Sequence, residues 1–344
     1  MDANTHHLHS IVVDNHYVVI DCFFSLKYNN ALVIILNNRK YIRTHTHIDV
    51  DNMEYYLNGT KMSFKTPDIK DFHHLNGKNY KHEFFRNGFQ IPILYAENAY
   101  TENNQHVLDV VIGEKQYTFS LNPPCSYYKD KKCITTIFKN EYHLIKKWVK
   151  YHKKLGFEKF ILYDNNTDAS SKYNLLIEKD QDVTIINADW QYWGCESNND
   201  RHTIGQCIQQ NHCIWKYMPE FLALTDLDEY INPKNKYNLF NPKHPVLSIP
   251  NYFFTMNNIG NFSLFDSIQR QYDMDDFNSQ QRKCIVQSKQ VDLFLVHLPI
   301  SFTHIIYGRY DEVQLNHFFE MSAKSRPTTQ DVQCVTDTSI RENL

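Results

Sequence analysis

The amino-acid sequence predicts an α/β protein, in which a smaller β-sandwich-like domain precedes a Rossmann-like mixed sheet flanked by helices. Two observations support this fold class. The first third of the chain contains short β-branched segments between asparagine-rich turns, without helical periodicity. The rest alternates short apolar segments with amphipathic stretches of helical spacing, which is typical of strands connected by helices.

The first third is expected to form the β-sandwich-like domain. Its candidate strands are residues 11–20, 31–36, 41–50, 107–112 and 116–121. The last two flank Gly113-Glu114-Lys115, which favours a hairpin turn. The prolines of Asn122-Pro123-Pro124 predict a boundary, so we assign residues 1–128 to a β-rich accessory or glycan-binding domain.

The second domain is expected over residues 129–325. Its apolar runs predict buried strands at 132–138, 160–163, 183–188 and 221–225. Helical spacing predicts helices over 141–155, with Gly156 as the stop signal, and over 204–217. On the first helix, Trp148, Tyr151 and His152 are interpreted as core residues. Residues 326–344 are polar and are predicted to form a C-terminal tail.

Composition and charge exclude several classes of protein. The net charge of −3 over 344 residues gives no electrostatic reason to expect a nucleic-acid partner. No segment approaches the roughly 18 apolar residues of a membrane span, and the N-terminus lacks the pattern of a signal peptide. The eight cysteines are scattered, which favours reduced thiols. We therefore expect a cytoplasmic protein without a transmembrane segment.

The leading candidate site is the sequence Asp226-Leu227-Asp228-Glu229. Asp-x-Asp occurs at four places in the chain, but only this one directly follows a five-residue apolar run. Two carboxylates at the end of a buried strand are costly unless a cation or hydrogen-bond donors compensate them. Carboxylate oxygens favour Mg²⁺ or Mn²⁺, which proteins often share with substrate phosphates. The alternative interpretation is a strand-end turn with a capping aspartate.

A second group of polar residues follows the first two strands of the α/β domain. Lys139-Asn140-Glu141 ends the first strand, and Asp164-Asn165 ends the second. Because ligands of such sheets bind beyond the carboxyl ends of the strands, these side chains are candidates for contacting a nucleotide. Asn140 has a simpler alternative role as the N-cap of the following helix.

Together these segments resemble glycosyltransferase family 92 over roughly residues 130–325. The motifs occur in the family's order: Cys133 to Glu141, Trp148, Tyr151-His152, Gly156, Phe160 to Asn165, Gln206, Cys213, Asp226 to Glu229, Lys283 to Val286, Val296-His297 and His317-Phe318. Each motif is weak alone, and their ordered combination is specific. The first third of the chain shows no such resemblance.

The resemblance implies a GT-A fold and a metal-dependent inverting transferase. Its donor would be a UDP-hexose, typically UDP-galactose, its acceptor a glycan or glycoprotein, and its cofactor Mn²⁺ or Mg²⁺. By carry-over, the metal ligands would be Asp226, Asp228 and His317. The donor-binding residues would be Lys139, Asn140, Glu141, Asp164, Asn165, Gln206 and Asp226.

The chain also departs from the family pattern. Phe318 replaces a tyrosine, and the family's acceptor segment is matched only loosely by residues 252–260. An inverting transfer needs a carboxylate that deprotonates the acceptor hydroxyl. Six carboxylates lie in the right stretch, and we take the first as the candidate base: Asp266, Asp273, Asp275, Asp276, Asp311 and Glu312.

Two other functions remain open from the sequence. A protein with this fold could bind glycans without catalysing transfer, because fold alone does not determine activity. An Asp-x-Asp motif also occurs in metal-dependent phosphohydrolases, which usually carry a small Thr or Val four positions after the first aspartate. Tyr230 occupies that position here, which disfavours this third hypothesis.

Overall fold

The structure is a computed structural model. It describes residues 8–37, 42–43, 46–67, 93–102, 105–166, 180–192, 204–255, 269–271, 282–295, 298–301, 305–309, 311–318 and 334–336. Of residues 252–255, 269–271 and 334–336 it describes the backbone alone. Asp266 and most of the acceptor segment 252–260 lie outside the described residues. The described part is a mixed α/β structure, rich in sheets and with two α-helices described over their full length, and residues 42, 43 and 46 are also helical.

The N-terminal part contains two four-stranded antiparallel sheets. The strands of the first, in spatial order, are β1 (Ile11–Val13), β2 (His16–Ser25), β3 (Ala31–Leu36) and β6 (Ile93–Ala96). The strands of the second are β5 (Thr60–Lys61), β4 (Glu54–Leu57), β7 (His106–Ile112) and β8 (Lys115–Leu121). Apolar side chains of both sheets share one core, and the predicted hairpin around Gly113 joins β7 to β8.

Two N-terminal predictions need correction. The strand predicted over 11–20 is divided by a turn at Asp14 and Asn15, both of which have positive φ. The strand predicted over 41–50 is wrong, since no described residue of that stretch is in a strand. There Thr46 Oγ1 donates a 2.7 Å hydrogen bond to the Ile42 carbonyl, and Asp49 caps a 3₁₀ turn. Such side-chain bonds to the local backbone compete with strand pairing.

The main sheet of the second part has seven strands. Their order is β11 (Val183–Asn187), β10 (Lys159–Asp164), β9 (Lys132–Phe138), β12 (Phe221–Leu224), β17 (Lys283–Val286), β14 (Val246–Ile249) and β20 (Ile305–Tyr307). The first four are parallel, and β17 is antiparallel to both of its neighbours. The carboxyl ends of β9, β10 and β12 therefore lie at one edge, which brings the predicted polar groups to the same side.

A second sheet packs beside the main one. Its order is β13 (Glu229–Pro233), β21 (Val313–His317), β15 (Asn251–Thr255), β16 (Gln269–Gln271) and β22 (Cys334–Thr336), and a separate hairpin joins β18 (Leu293–Leu295) to β19 (Leu298–Ser301). Strand β22 lies within the predicted polar tail and pairs with β16. The chain passes from the main sheet to this second sheet between β12 and β13, which is where Asp226 and Asp228 lie.

Two α-helices support the main sheet: α1 (Tyr142–Lys154) and α2 (Ile204–Lys216). As predicted, Trp148, Tyr151 and His152 of α1 are buried in the core. All residues of α2 except Lys216 are buried, because this helix contacts β9 of the main sheet as well as β2 and β3 of the N-terminal part. The described segments contain no helix with both the length and the apolar character of a membrane span.

Candidate active site

The backbone of the acidic turn is held from three sides. β13 and β21 pair antiparallel in a register that sets Glu229 opposite His317. The amide of Phe318 donates to the Asp228 carbonyl over 2.8 Å, and the Trp148 indole donates to the Glu229 carbonyl over 3.0 Å. These long-range bonds replace the ladder that ends with β12. The turn is therefore part of the rigid core rather than a surface loop.

Asp226 is held at both of its carboxylate oxygens. The side-chain amide of Gln206 donates to Oδ1 over 2.8 Å, and the Lys283 ammonium donates to Oδ2 over 3.0 Å. The Asp226 amide in turn donates to Glu229 Oε2 over 2.8 Å. The side chain of Asp226 is 23% exposed, so part of this carboxylate reaches the surface.

Asp228 lies against His317. The distance between Asp228 Oδ2 and His317 Nε2 is 3.3 Å, and the two side chains are only 7% and 4% exposed. Glu229 Oε1 lies 3.5 Å from the other ring nitrogen of His317. Asp228 and His317, two of the three metal ligands that the resemblance implies, are thus adjacent, although they are far apart in the sequence.

The charged groups of the site shift one another's pKa values. Burial raises the pKa of Glu229 to about 7, against the attraction of Lys283, which acts in the opposite direction. Burial lowers the pKa of His317, but the carboxylates of Asp228 and Glu229 outweigh it, and the net shift is upward. The acidic residues therefore favour a positive charge in their midst.

Lys139, Asn140 and Glu141 follow β9, as predicted, and Lys139 is exposed there. Asn140 has a φ of 60° and donates its backbone amide to Asn166 Oδ1 over 3.1 Å. It does not cap α1, because the N-cap residue is Glu141, which makes no side-chain capping bond. The capping role proposed for Asn140 is therefore wrong. Asn140 lies one position before the N-cap, and its backbone amide bonds to Asn166.

Asp164 and Asn165 brace the adjoining loops. Asp164 accepts hydrogen bonds from the Tyr142 hydroxyl at 2.5 Å and from the Asn166 amide at 3.1 Å. The side-chain amide of Asn165 donates to the carbonyls of Ala188 and Trp190, at 2.8 Å for the second. Asn165 thus holds the segment that follows β11 against the end of β10.

Tyr192 connects the two predicted clusters. Its hydroxyl lies 3.5 Å from Gln206 Oε1. Burial raises its pKa, and the negative charges of Asp226 and Glu141 raise it further. Neither Tyr192 nor Lys283 was identified as a site residue from the sequence. A lysine that opens the apolar run of β17 was the available signal for Lys283, whereas Tyr192 reaches the site only through the fold.

The carboxylates of Asp226 and Asp228 are of the kind that a hard divalent cation takes as ligands, whereas the imidazole of His317 is a softer donor. Within the described ranges, however, no three His, Cys, Asp or Glu side chains are already arranged around one metal position. Asp228 and His317 form a pair, while Asp226 is engaged by Lys283 and Gln206. The fit is thus one of donor chemistry, with two of the three expected ligands adjacent.

The fold and the site define an α/β protein with an acidic centre at the carboxyl ends of parallel strands. Its sequence matches the profile of glycosyltransferase family 92 over residues 132–342, and the chain belongs to that family. This result confirms the resemblance found in the sequence.

Three plant members of glycosyltransferase family 92 illustrate the relationship. The one from Arabidopsis thaliana is 19% identical over 140 residues, which cover 41% of this chain and 22% of the relative. The one from Ricinus communis is 42% identical over 109 residues, or 31% of this chain and 18% of the relative. The one from Oryza sativa is 30% identical over 100 residues, or 29% of this chain and 16% of the relative. The matched segments span about a fifth of these relatives.

Proposed function

We propose that this protein is a metal-dependent glycosyltransferase that moves a hexose, most simply galactose, from a UDP-sugar to a glycan or glycoprotein acceptor with inversion. The observation that carries the proposal is the buried pairing of Asp228 with His317 beside Asp226, at the end of a parallel strand. Membership of glycosyltransferase family 92 supports the class of reaction. The donor, the metal and the stereochemistry are part of the proposal.

The diphosphate is the group that needs most stabilisation in such a transfer. In this proposal Asp226, Asp228 and His317 hold Mn²⁺ or Mg²⁺, whose charge stabilises the departing diphosphate. Burial and the short distance between Asp228 and His317 keep this part of the site in one geometry. The exposed part of Asp226 is where the donor would approach.

The proposed nucleotide contacts lie at the ends of β9 and β10. Lys139, Asn140, Glu141, Asp164, Asn165 and Gln206 are the candidates. Gln206 is the best supported, because its side-chain amide donates to Asp226 Oδ1 and its Oε1 lies 3.5 Å from the Tyr192 hydroxyl. The role of Asn165 would be to hold the loop after β11, since its amide hydrogens already bond two carbonyls.

Asp266 remains our candidate for the base. Two of the alternatives lie among the described residues, and both bond to Arg309 near the surface. Asp311 is 65% exposed and forms a 2.9 Å ion pair with Arg309, and Glu312 Oε2 accepts the Arg309 amide over 3.2 Å. These local pairings account for Asp311 and Glu312 without a catalytic role.

The test is release of UDP from a panel of nucleotide sugars, with Mn²⁺ and with chelator, in the presence and absence of sugar acceptors. We expect release from a UDP-hexose with Mn²⁺ that is lost in chelator and reduced at least about 100-fold in Asp228→Asn. Asp311→Asn is the matched control and should behave as the wild type. Release of inorganic phosphate would instead favour a phosphohydrolase, and glycan binding without any release would favour a non-catalytic lectin-like function.

A further inference from the structure

Lys283 belongs to the acidic centre, and the proposed reaction leaves its role unassigned. Its side chain opens β17 and is 2% exposed. The Nζ atom lies 3.0 Å from Asp226 Oδ2 and 3.6 Å from Glu229 Oε2. An ammonium group buried to this extent is unfavourable unless carboxylates pair with it, so these contacts are a built feature of the fold.

Lys27 provides a useful comparison, because it is also a buried lysine. Its Nζ donates to the Val291 carbonyl over 2.8 Å and to Asp292 over 3.1 Å. Burial lowers the pKa of Lys27, and its single carboxylate partner does not reverse that shift. Two carboxylates lie against the Nζ of Lys283, those of Asp226 and Glu229, whereas Asp292 is the carboxylate paired with Lys27. Lys283 thus lies in a more negative environment than Lys27.

We propose that Lys283 is a positioning residue that acts as the permanent counter-ion of the acidic centre, fixing Asp226 and offsetting the charge of Asp226, Asp228 and Glu229. The divalent cation in this argument rests on the proposed function, which assigns it to the acidic centre. When all three carboxylates are ionised, one ammonium and one divalent cation balance them. Lys283 therefore supplies the positive charge that remains in the acidic centre when the divalent cation leaves.

Two opposite effects follow from removing this ammonium. The carboxylates of Asp226 and Glu229 lose their partner, so the folded protein without metal becomes less stable. The same carboxylates then attract a divalent cation more strongly, because a like charge has been removed from beside its binding position. A purely space-filling lysine would show the first effect without the second.

The experiment compares thermal unfolding of the full chain in chelator and in Mn²⁺ for the wild type, Lys283→Met and Lys27→Met. In chelator we expect both variants to unfold about 5 °C or more below the wild type. Mn²⁺ should raise the Tm of Lys283→Met by more than it raises the Tm of the wild type. The Tm of Lys27→Met should rise by the same amount as that of the wild type. Where Mn²⁺ raises the Tm of the wild type, an equal or smaller rise for Lys283→Met overturns the proposal.

A double-mutant cycle keeps the proposal testable if Lys283→Met alone does not fold, or if Mn²⁺ changes no Tm. Asp226→Asn removes the charge that Lys283 is proposed to offset, so Lys283→Met/Asp226→Asn should be more stable in chelator than Lys283→Met. A double variant as unstable as Lys283→Met, or less stable, contradicts the counter-ion role. If Mn²⁺ stabilises no variant while the cycle shows coupling, the metal part of the proposed function fails and the role of Lys283 stands.

Discussion

His212 of α2 and Asp21 of β2 meet inside the protein, with imidazole Nε2 2.9 Å from carboxylate Oδ2 and neither side chain exposed. The Lys216 ammonium donates to the same carboxylate oxygen over 2.6 Å, and the other nitrogen of His212 lies 2.7 Å from the Tyr163 hydroxyl. The N-terminal sheet is thus connected to the main sheet through the helix that also carries Gln206. This buried network gives the N-terminal sheet a structural role in supporting the part of the chain that matches glycosyltransferase family 92.

Asp21→Asn should therefore destabilise the whole described fold. It leaves the buried His212 and the partly exposed Lys216 without their carboxylate, and loss of one partner in a buried pair costs about 3 kcal/mol. Urea unfolding of the full chain measures this cost, with the exposed Asp14→Asn as the control. Equal stability of the two variants would show that the network does not join the two parts.

His152 should make stability depend on pH. Burial lowers its pKa to about 3, despite a hydrogen bond between its Nδ1 and the Trp148 carbonyl. The unfolded chain takes up a proton near pH 6.5 while the folded chain does not, so stability falls as the pH decreases below about 6.5. The contribution of His152 at pH 5 should be about 2 kcal/mol less favourable than at pH 7.

The measurement is urea unfolding at pH 5 and pH 7 for the wild type and His152→Gln. The variant should lose most of the difference between the two pH values, whatever its absolute stability. His143→Gln, an exposed histidine on the same helix, should retain the wild-type difference. A pH dependence that is unchanged in His152→Gln would contradict a neutral, buried imidazole.

Gly205 is expected to be essential for the position of Tyr192. A Cβ atom there would lie 2.7 Å from the Tyr192 Cα and 2.9 Å from the Gln191 carbonyl oxygen, both on the backbone. Gly205→Ala must therefore push α2 and the Tyr192 segment apart, at a cost of about 1–3 kcal/mol. Because Gln206 is the next residue, the affinity for UDP with Mn²⁺ should fall with the stability.

Gly113→Ala is the control for this substitution. Gly113 has a φ of +60°, and a Cβ atom would meet nothing within 4 Å. The control should lose about 1 kcal/mol through backbone strain and retain its UDP affinity. UDP affinity that is unchanged in Gly205→Ala would show that the contact with Tyr192 does not reach the site.

Much of the main sheet could be predicted from local sequence. The strands at 132–138 and 160–163, and the helix after the first of them, were found because buried parallel strands are continuous apolar runs. The prediction of a strand over 41–50 was wrong because the side chains of Thr46 and Asp49 bond to the backbone of nearby residues. Local patterns thus succeeded where burial dominates and failed where side chains compete with the ladder.

The candidate site was predictable in a different way. Asp226 and Asp228 were found from the apolar run before them, whereas His317 was found from the family resemblance alone. Its position opposite Glu229 depends on the register of β13 and β21, two strands about 80 residues apart in the chain, and no local pattern encodes it. Lys283 opens the apolar run of β17, which is a local signal, but its partners Asp226 and Glu229 lie far from it in the sequence and no local pattern identifies them.

In the proposed site, Asp228 and His317 hold a cation that binds the diphosphate of the donor. Calorimetric titration of UDP into the wild type and Asp228→Asn, each with Mn²⁺ and with chelator, measures this directly. We expect the wild type to bind UDP at least about tenfold more tightly with Mn²⁺, a coupling of about 1.4 kcal/mol, and Asp228→Asn to lose this difference. Equal UDP affinity of both proteins under both conditions would contradict the account.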